Sequence, residues 1–442
     1  MCGVRRFLKR LTLPSRATPA PFYRETVPRP LTLFAMTDAL PHLPSRLSAL
    51  ATPSRRQFLA AAGVMAAAPW GAFARETRLQ PSTDAGGEGW ITHTEVPPNR
   101  EVRLPRLTEN GAGSWITPVE RFYVRSHAAS PRIDLGSYRL SVDGLVERPL
   151  ELTISDLLGM DQTEATATMT CAGNRRTEHS RTETIKGVPW QAGAIGNATW
   201  GGVRLSAILK QAGLQDDARH VWFDGLDAID RGSETIAFGA SIPVEKALGD
   251  SAAMPGALVC LRQNGQPLTP DHGFPVRGVV PGYIGARSVK WLGRIHVSNR
   301  PNPNHYQATA YKIVHDASPI EWAEKAPIYR MPLNGVITSP AAGASVNGPL
   351  DVTGYALPPG EEGVTIRGVD VSVDGGQQWR AAELIGPSQP LCWQLWRLTL
   401  DTAPQSLVVR ATDSRGRSQP AATAWNKKGY LYNAQHRVEL GR

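Results

Sequence analysis

The sequence predicts an α+β domain over residues 116–325, followed by an all-β, immunoglobulin-like sandwich over residues 330–442. Three observations carry that prediction. Leu205, Ile208, Leu209 and Ala212 recur at the spacing of one helix face and stop at Gly213, a residue suited to ending a helix. Strand-like runs such as Tyr138–Val142 and Ala257–Leu261 are interleaved with such helical stretches. Beyond about residue 330 the texture is strands alone. There Val369, Val371 and Val373 alternate with Asp370, Ser372 and Asp374, and Asp374-Gly375 is a hairpin-turn signal. Trp396, Leu398 and Leu400 share one face, as do Leu407, Val409 and Ala411. A chain of 442 residues that is 41% hydrophobic has material for two packed cores.

From the N-terminus, residues 1–74 read as a leader. Ser54-Arg55-Arg56-Gln57-Phe58-Leu59 precedes an apolar run from Phe58 to Ala68, and Ala72-Phe73-Ala74 offers a small-x-small pattern with cleavage after Ala74. This is the form of a twin-arginine signal, so the twin-arginine export machinery and a periplasmic location are expected. That route carries folded proteins, and a cofactor inserted in the cytoplasm is a common reason to fold first. The start codon stays open between Met1 and Met36. The leader holds 10 Lys/Arg against 2 Asp/Glu, so +8 of the total +9 belongs to it and +1 to the mature chain. No nucleic-acid function follows from so small a charge. No apolar run reaches the roughly 18 residues of a membrane-spanning helix, so no membrane span is expected in the mature form. Residues 75–115, rich in Gly, Pro and charge, read as an irregular lead-in.

Four cysteines, at 2, 171, 260 and 392, are too scattered for a disulfide framework, and the lack of C-x-x-C or C-x-x-C-H argues against zinc fingers and attached haem. Cys171 stands apart. In "TMTCAGNRR" (168–176) a tight polar turn and two adjacent arginines follow it, and nearby cations stabilise the thiolate that binds metals. On spacing alone a buried core cysteine and a functional thiolate fit equally. Likewise His272 and Arg277 fit a solvated Gly/Pro-rich turn, Asp227 an ordinary turn carboxylate, and Tyr311 a packed aromatic with a wet hydroxyl.

Longer stretches are more specific. "FYVRSH" (122–127), "CAGNRR" (171–176), "FDGLD" (223–227), "FGASIP" (238–243), "NGQPLTPDHGFPVRGVVPGYIGARSVKWLGR" (264–294) and "VDVSVDGGQQW" (369–379) resemble the sulfite oxidase family of molybdenum enzymes. The likeness runs in order from about residue 90 to the C-terminus. It implies a sulfite-oxidase-type molybdopterin domain ahead of the sandwich, and a homodimer formed through the sandwich. In the family a cysteine thiolate is the protein's bond to molybdenum, and Cys171 sits at that position. The resemblance places Tyr123, Val124, Arg125, Ser126, His127, Asp227, His272, Arg277, Ser288, Val289 and Lys290 around the pterin cofactor. It assigns Arg125 and Arg176 to the sulfite pocket, where guanidinium forks suit a small dianion. Tyr311 matches the active-site tyrosine, and Lys428 a segment where vertebrate members carry arginine.

The implied reaction is oxidation of sulfite to sulfate with Mo-molybdopterin, two electrons leaving one at a time. The chain before Arg125 has no room for the haem-binding domain of vertebrate members, so no haem is expected and a separate acceptor, a c-type cytochrome, is implied. Two departures bear on the pocket: Ala310 replaces an aspartate of the vertebrate enzymes, and Lys428 keeps the charge of an arginine without its fork. Two other functions compete with this one. An S-oxide reductase of the methionine sulfoxide type would run related chemistry in reverse, but those relatives lack the sandwich. A non-enzymatic exported binding protein would contain no molybdenum.

Overall fold

The computed structural model describes residues 89–249, 255–316 and 318–441. The twin-arginine segment, its cleavage site and both candidate start codons lie outside these residues. From Trp90 onward the expected irregular lead-in is instead built structure. Trp90–Thr94 pairs antiparallel with Asn99–Val102, which also pairs with Val124–Arg125, and a short helix, Leu104–Thr108, follows. The reason lies in distant partners. Glu101 is completely buried, and its carboxylate accepts the backbone N–H groups of Gln191 at 2.8 Å and Gly193 at 2.9 Å while meeting His93 at 2.7 Å. A charged residue of a stretch that reads as irregular is here an internal fastener.

Two five-stranded sheets form the α+β part. In the first, Leu292–Ser298 lies parallel to Leu140–Gly144 and antiparallel to His220–Gly225, with Gly239–Pro243 and Leu150–Leu152 at the edges. In the second, Gln162–Thr170 pairs with Ile195–Arg204 along nine residue pairs, and Leu258–Gln263 adds on the far side. The predicted amphipathic helix spans Leu205–Ala212, and the Gly213 N–H closes it on the Leu209 carbonyl at 2.9 Å. Leu205, Ile208, Leu209 and Ala212 are completely buried in the core between the sheets, a gain of roughly 2 kcal/mol for each of the three larger side chains.

After the helix Pro319–Glu324 the chain builds two four-stranded antiparallel sheets. Ile337, Val352, Val369, Val371, Trp396, Leu400, Val409 and Val438 fill the space between them. A further apolar cluster runs from one part of the chain into the other: Ile195, Ile284 and Tyr311 pack with Val336, Tyr355, Leu357 and Trp393.

Arg175 adds a polar clamp at the same junction. It is completely buried with φ of 69°, and its Nε and Nη2 each donate to the Glu178 carboxylate at 2.7 Å. Its Nη1 donates at 2.7 Å to both the Asn334 side-chain oxygen and the Ala434 carbonyl, which belong to the β sandwich. Burial pushes the Glu178 carboxyl up, but Arg175 and His436 outweigh it and hold the group at about 2 instead of 4.5. A depressed carboxyl stabilises the fold fully above its unfolded pKa and loses that contribution as pH falls from 4.5 towards 2. The contribution is about 3 kcal/mol. Glu178→Gln should therefore lower stability near neutral pH by about that much and flatten the acid loss. Denaturant unfolding midpoints of both proteins from pH 7 down to pH 2 test this; parallel curves would contradict it.

Candidate active site

The strand Gln162–Thr170 delivers Cys171 to a turn with little freedom. The Cys171 N–H donates to the Ala194 carbonyl at 3.0 Å, the Asn174 N–H returns to the Cys171 carbonyl at 3.0 Å, and the Gly173 N–H points at Sγ from 3.4 Å. Asn174 accepts the Ala194 N–H at 3.0 Å and donates to the Tyr355 hydroxyl at 3.2 Å. Leu431, from the C-terminal part, donates its N–H to the Ala172 carbonyl at 2.8 Å. Both parts of the chain thus hold the cysteine turn, and Cys171 forms part of a cavity wall.

Three other segments supply much of that wall. From 122–127 come Tyr123, Arg125, Ser126 and His127; from 271–277 come Asp271, His272 and Arg277; from 285–291 come Ser288, Val289, Lys290 and Trp291. Of the other predicted residues, Asp227 and Tyr311 also line it. The close approach of Gly285 to this wall needs a glycine, because a Cβ there would meet the Tyr123 hydroxyl at 2.6 Å.

The electrostatics are unbalanced towards positive. Arg277 is buried and donates to the carbonyls of His272 at 2.9 Å and Ser288 at 3.1 Å; among the described residues no carboxylate pairs with it. Burial lowers it to about 10. Lys290 donates to the Ser126 hydroxyl at 2.6 Å and the Asp271 carbonyl at 2.8 Å, with its ammonium 4.2 Å from the Trp291 ring centre. Burial, reinforced by Arg277, brings it down to about 7. Arg125 is held by the Asn99 side-chain oxygen at 3.1 Å and by the Ser126 carbonyl. Burial raises Asp227, which accepts the Phe238 N–H at 2.8 Å. Asp271 is engaged with Arg100 at 2.6 Å. Desolvated cations without full partners are costly, and a bound anion removes the cost. This donor set fits a phosphate-bearing group.

His272 plays a neutral part. Its Nε2 donates to the Phe122 carbonyl at 3.1 Å, so Nδ1 accepts from the Thr269 hydroxyl at 2.7 Å. Burial and then Arg277 lower it to about 4, consistent with that tautomer at neutral pH. Tyr311 follows a π-helical turn, Tyr306–Ala310, stacks on Tyr430 at 5.2 Å and has its hydroxyl 3.4 Å from His127 Nε2. Burial first, then Arg125 and Lys290, keep His127 well below its ordinary pKa, so it is an uncharged neighbour of the phenol.

Three predicted residues are placed elsewhere. Val124 is buried but is not among the residues on the wall. Arg176 lies beside the cavity and is spent on the turn: Nε donates to the Lys428 carbonyl at 3.0 Å, Nη1 to the Val188 carbonyl at 2.6 Å, and the guanidinium lies 5.3 Å from the Tyr430 ring. Lys428 contributes that carbonyl, while its ammonium rests over Trp322 at 5.0 Å, off the cavity wall. Neither Arg176 nor Lys428 is on the wall that Cys171 shares, and their expected sulfite-pocket roles stay proposals. The sequence reading missed Met169, Phe238, Asp271 and Trp291, all on the wall. Each falls inside or next to a quoted motif, which was the available signal.

Residues 127–306 match the family described as oxidoreductase molybdopterin binding domain, and residues 325–442 match the Mo-co oxidoreductase dimerisation domain. The chain is 41% identical to the mitochondrial sulfite oxidase of Mus musculus over 344 residues, covering 73% of this chain and 61% of that protein. It is 41% identical to the sulfite oxidase of Gallus gallus over 338 residues, covering 73% of this chain and 72% of that one. The crystal structure of the sulfane dehydrogenase SoxCD from Paracoccus pantotrophus superposes with a TM-score of 0.66 at 26% identity, covering 83% of this chain and 96% of that one.

The depressed Lys290 makes a testable prediction. A phosphate monoester in the cavity raises its pKa, so binding at pH 8 takes up a proton and affinity falls as pH rises above about 7. Calorimetry of phosphate-ester binding to cofactor-free protein in two buffers of different ionisation heat measures the uptake. Lys290→Met should abolish it; uptake that persists in this variant would assign the proton elsewhere.

Proposed function

Because the chain belongs to the sulfite oxidase family of molybdenum enzymes, we propose that it oxidises sulfite to sulfate with Mo-molybdopterin held in the Cys171 cavity. Electrons then pass to a separate acceptor, a c-type cytochrome. One observation carries the reading: a cysteine thiol and the three cations Arg125, Arg277 and Lys290 share one wall, and Arg277 has no carboxylate partner among the described residues. The bound cofactor supplies oxygen-atom transfer and storage of two electrons.

On this reading the protein's own groups divide the work. Cys171 is the metal ligand, a soft sulfur donor held rigid by its turn. Arg277, Lys290 and the Ser288 hydroxyl hold the cofactor's anionic end, and neutral His272 fixes the turn beside them. Arg125 binds a sulfite oxygen by a charge-assisted hydrogen bond. The Tyr311 hydroxyl, backed by uncharged His127, donates to the anion and carries a proton across its surface. Arg176 and Lys428 serve through the turn that they brace. The C-terminal sandwich is read as immunoglobulin-like from its two packed four-stranded antiparallel sheets, and as the homodimer contact from its dimerisation-family match.

The assay is sulfite-dependent reduction of cytochrome c and of a dye by purified protein, with molybdenum measured on the same sample and a sulfane tried in parallel. Molybdenum with sulfite turnover is expected, and Cys171→Ser should lose turnover by at least about a hundredfold. Full sulfite activity in that variant, or a wild-type protein without molybdenum, would sink the proposal. A sulfane turned over in preference to sulfite would move the substrate.

We further propose export by the twin-arginine route to the periplasm, on the motif Ser54-Arg55-Arg56-Gln57-Phe58-Leu59. Changing Arg55 and Arg56 together to lysine keeps the charge and should leave the activity in the cytoplasm. Fractionation decides it, and unchanged periplasmic activity would refute the route.

A further inference from the structure

Arg287 sits between two stretches of cavity wall and faces away from the cavity. Gly285 and Ala286 before it and Ser288 and Val289 after it line the site, while its own side chain is completely buried. Its Nε donates to the Ile328 carbonyl at 2.8 Å and Nη1 to the Tyr306 carbonyl at 3.2 Å. Its guanidinium carbon lies 5.7 Å from the Tyr311 ring centre and 5.4 Å from that of Tyr329. Nη2 has no hydrogen-bond partner among the described residues, and no carboxylate there pairs with the group. Burial lowers its pKa to about 10, a sign of the cost of keeping the charge inside.

A buried guanidinium held only by carbonyls and ring faces is a poor device for stability alone. What it touches has one thing in common. Tyr306 opens the π-helical turn that delivers Tyr311, and such turns often mark functional sites. The Ile328 N–H donates to the Tyr311 carbonyl at 2.9 Å. The Tyr329 hydroxyl accepts from Gln307, inside the same turn, at 3.0 Å. Each contact of Arg287 thus reaches a group that fixes where Tyr311 stands. We infer that Arg287 is a positioning residue for Tyr311, tying the cavity wall at 285–289 to the turn at 306–310 and laying its charge on the phenol ring. The cation draws density from the ring and makes the hydroxyl, 3.4 Å from His127, a better hydrogen-bond donor. Filling the cavity then orders Tyr311 as well, because wall and tyrosine share one brace.

The inference rests on the sulfite reading for its kinetic test, and a second measurement frees it from that reading. Arg287→Met in the molybdenum-loaded protein should lower kcat for sulfite by roughly 10- to 100-fold with molybdenum content retained. In a Tyr311→Phe background the same change should alter kcat by less than about twofold, because the hydroxyl through which it acts is gone. Arg287→Lys, which keeps a charge over the ring, should recover part of the loss. An undiminished effect in the Tyr311→Phe background would overturn the inference. If Arg287→Met does not fold, Arg287→Lys is read in the same cycle against the same criterion. In cofactor-free protein with labelled histidine, the His127 Nε2 resonance should move in Arg287→Met or Arg287→Lys in the direction that Tyr311→Phe moves it. An unmoved resonance overturns the positioning role whether or not sulfite is the substrate, whereas absent sulfite turnover with a moved resonance overturns the substrate alone.

Discussion

The buried arginine of the cysteine turn is the constraint on which the rest of the molecule depends. Arg175 takes a left-handed backbone conformation, which a non-glycine residue adopts only where its surroundings insist. That conformation sends its guanidinium inward to Glu178, Asn334 and Ala434 and starts the short helix Arg176–His179. The same turn presents Cys171 to the cavity. A single strained residue therefore fixes the thiol and fastens the α+β part to the sandwich. Relaxing it would loosen both, which explains why a buried ion pair is tolerated where an apolar contact would cost less desolvation.

Around that turn, stability is given up for binding. Arg277, Lys290 and Arg287 are all shifted towards neutrality by burial, and none of them has a carboxylate partner among the described residues. The first two face the cavity and await an anion; the third turns away and serves the tyrosine. The carboxylates that could have neutralised the wall are occupied, Asp271 by Arg100 and Asp227 by the Phe238 N–H. Positive charge is thus left facing inward where a phosphate group and a small dianion would both gain from it.

Sequence and structure agree where the signal is local. The helix Leu205–Ala212 was legible because its four buried side chains repeat at one helical face and a glycine ends it. The cavity wall was legible because nearly half of it comes from one contiguous block, 264–294, and "FYVRSH" and "CAGNRR" add seven further residues. What escaped depends on partners far along the chain. The order of the lead-in needs the backbone of 191–193 for Glu101, some ninety residues on. The two arginines of "CAGNRR" look alike in sequence, yet the left-handed turn at Arg175 sends one to the sandwich and leaves the other under the carbonyl of Lys428. The Lys428 ammonium lies over Trp322, a contact that no spacing announces.

X-ray absorption at the molybdenum edge, comparing purified wild-type protein with Cys171→Ser, decides whether this thiol binds the metal. Wild-type protein should hold molybdenum with a sulfur neighbour that disappears in the variant. A sulfur shell unchanged by the substitution would mean that the turn fixed by Arg175 holds something other than a metal ligand.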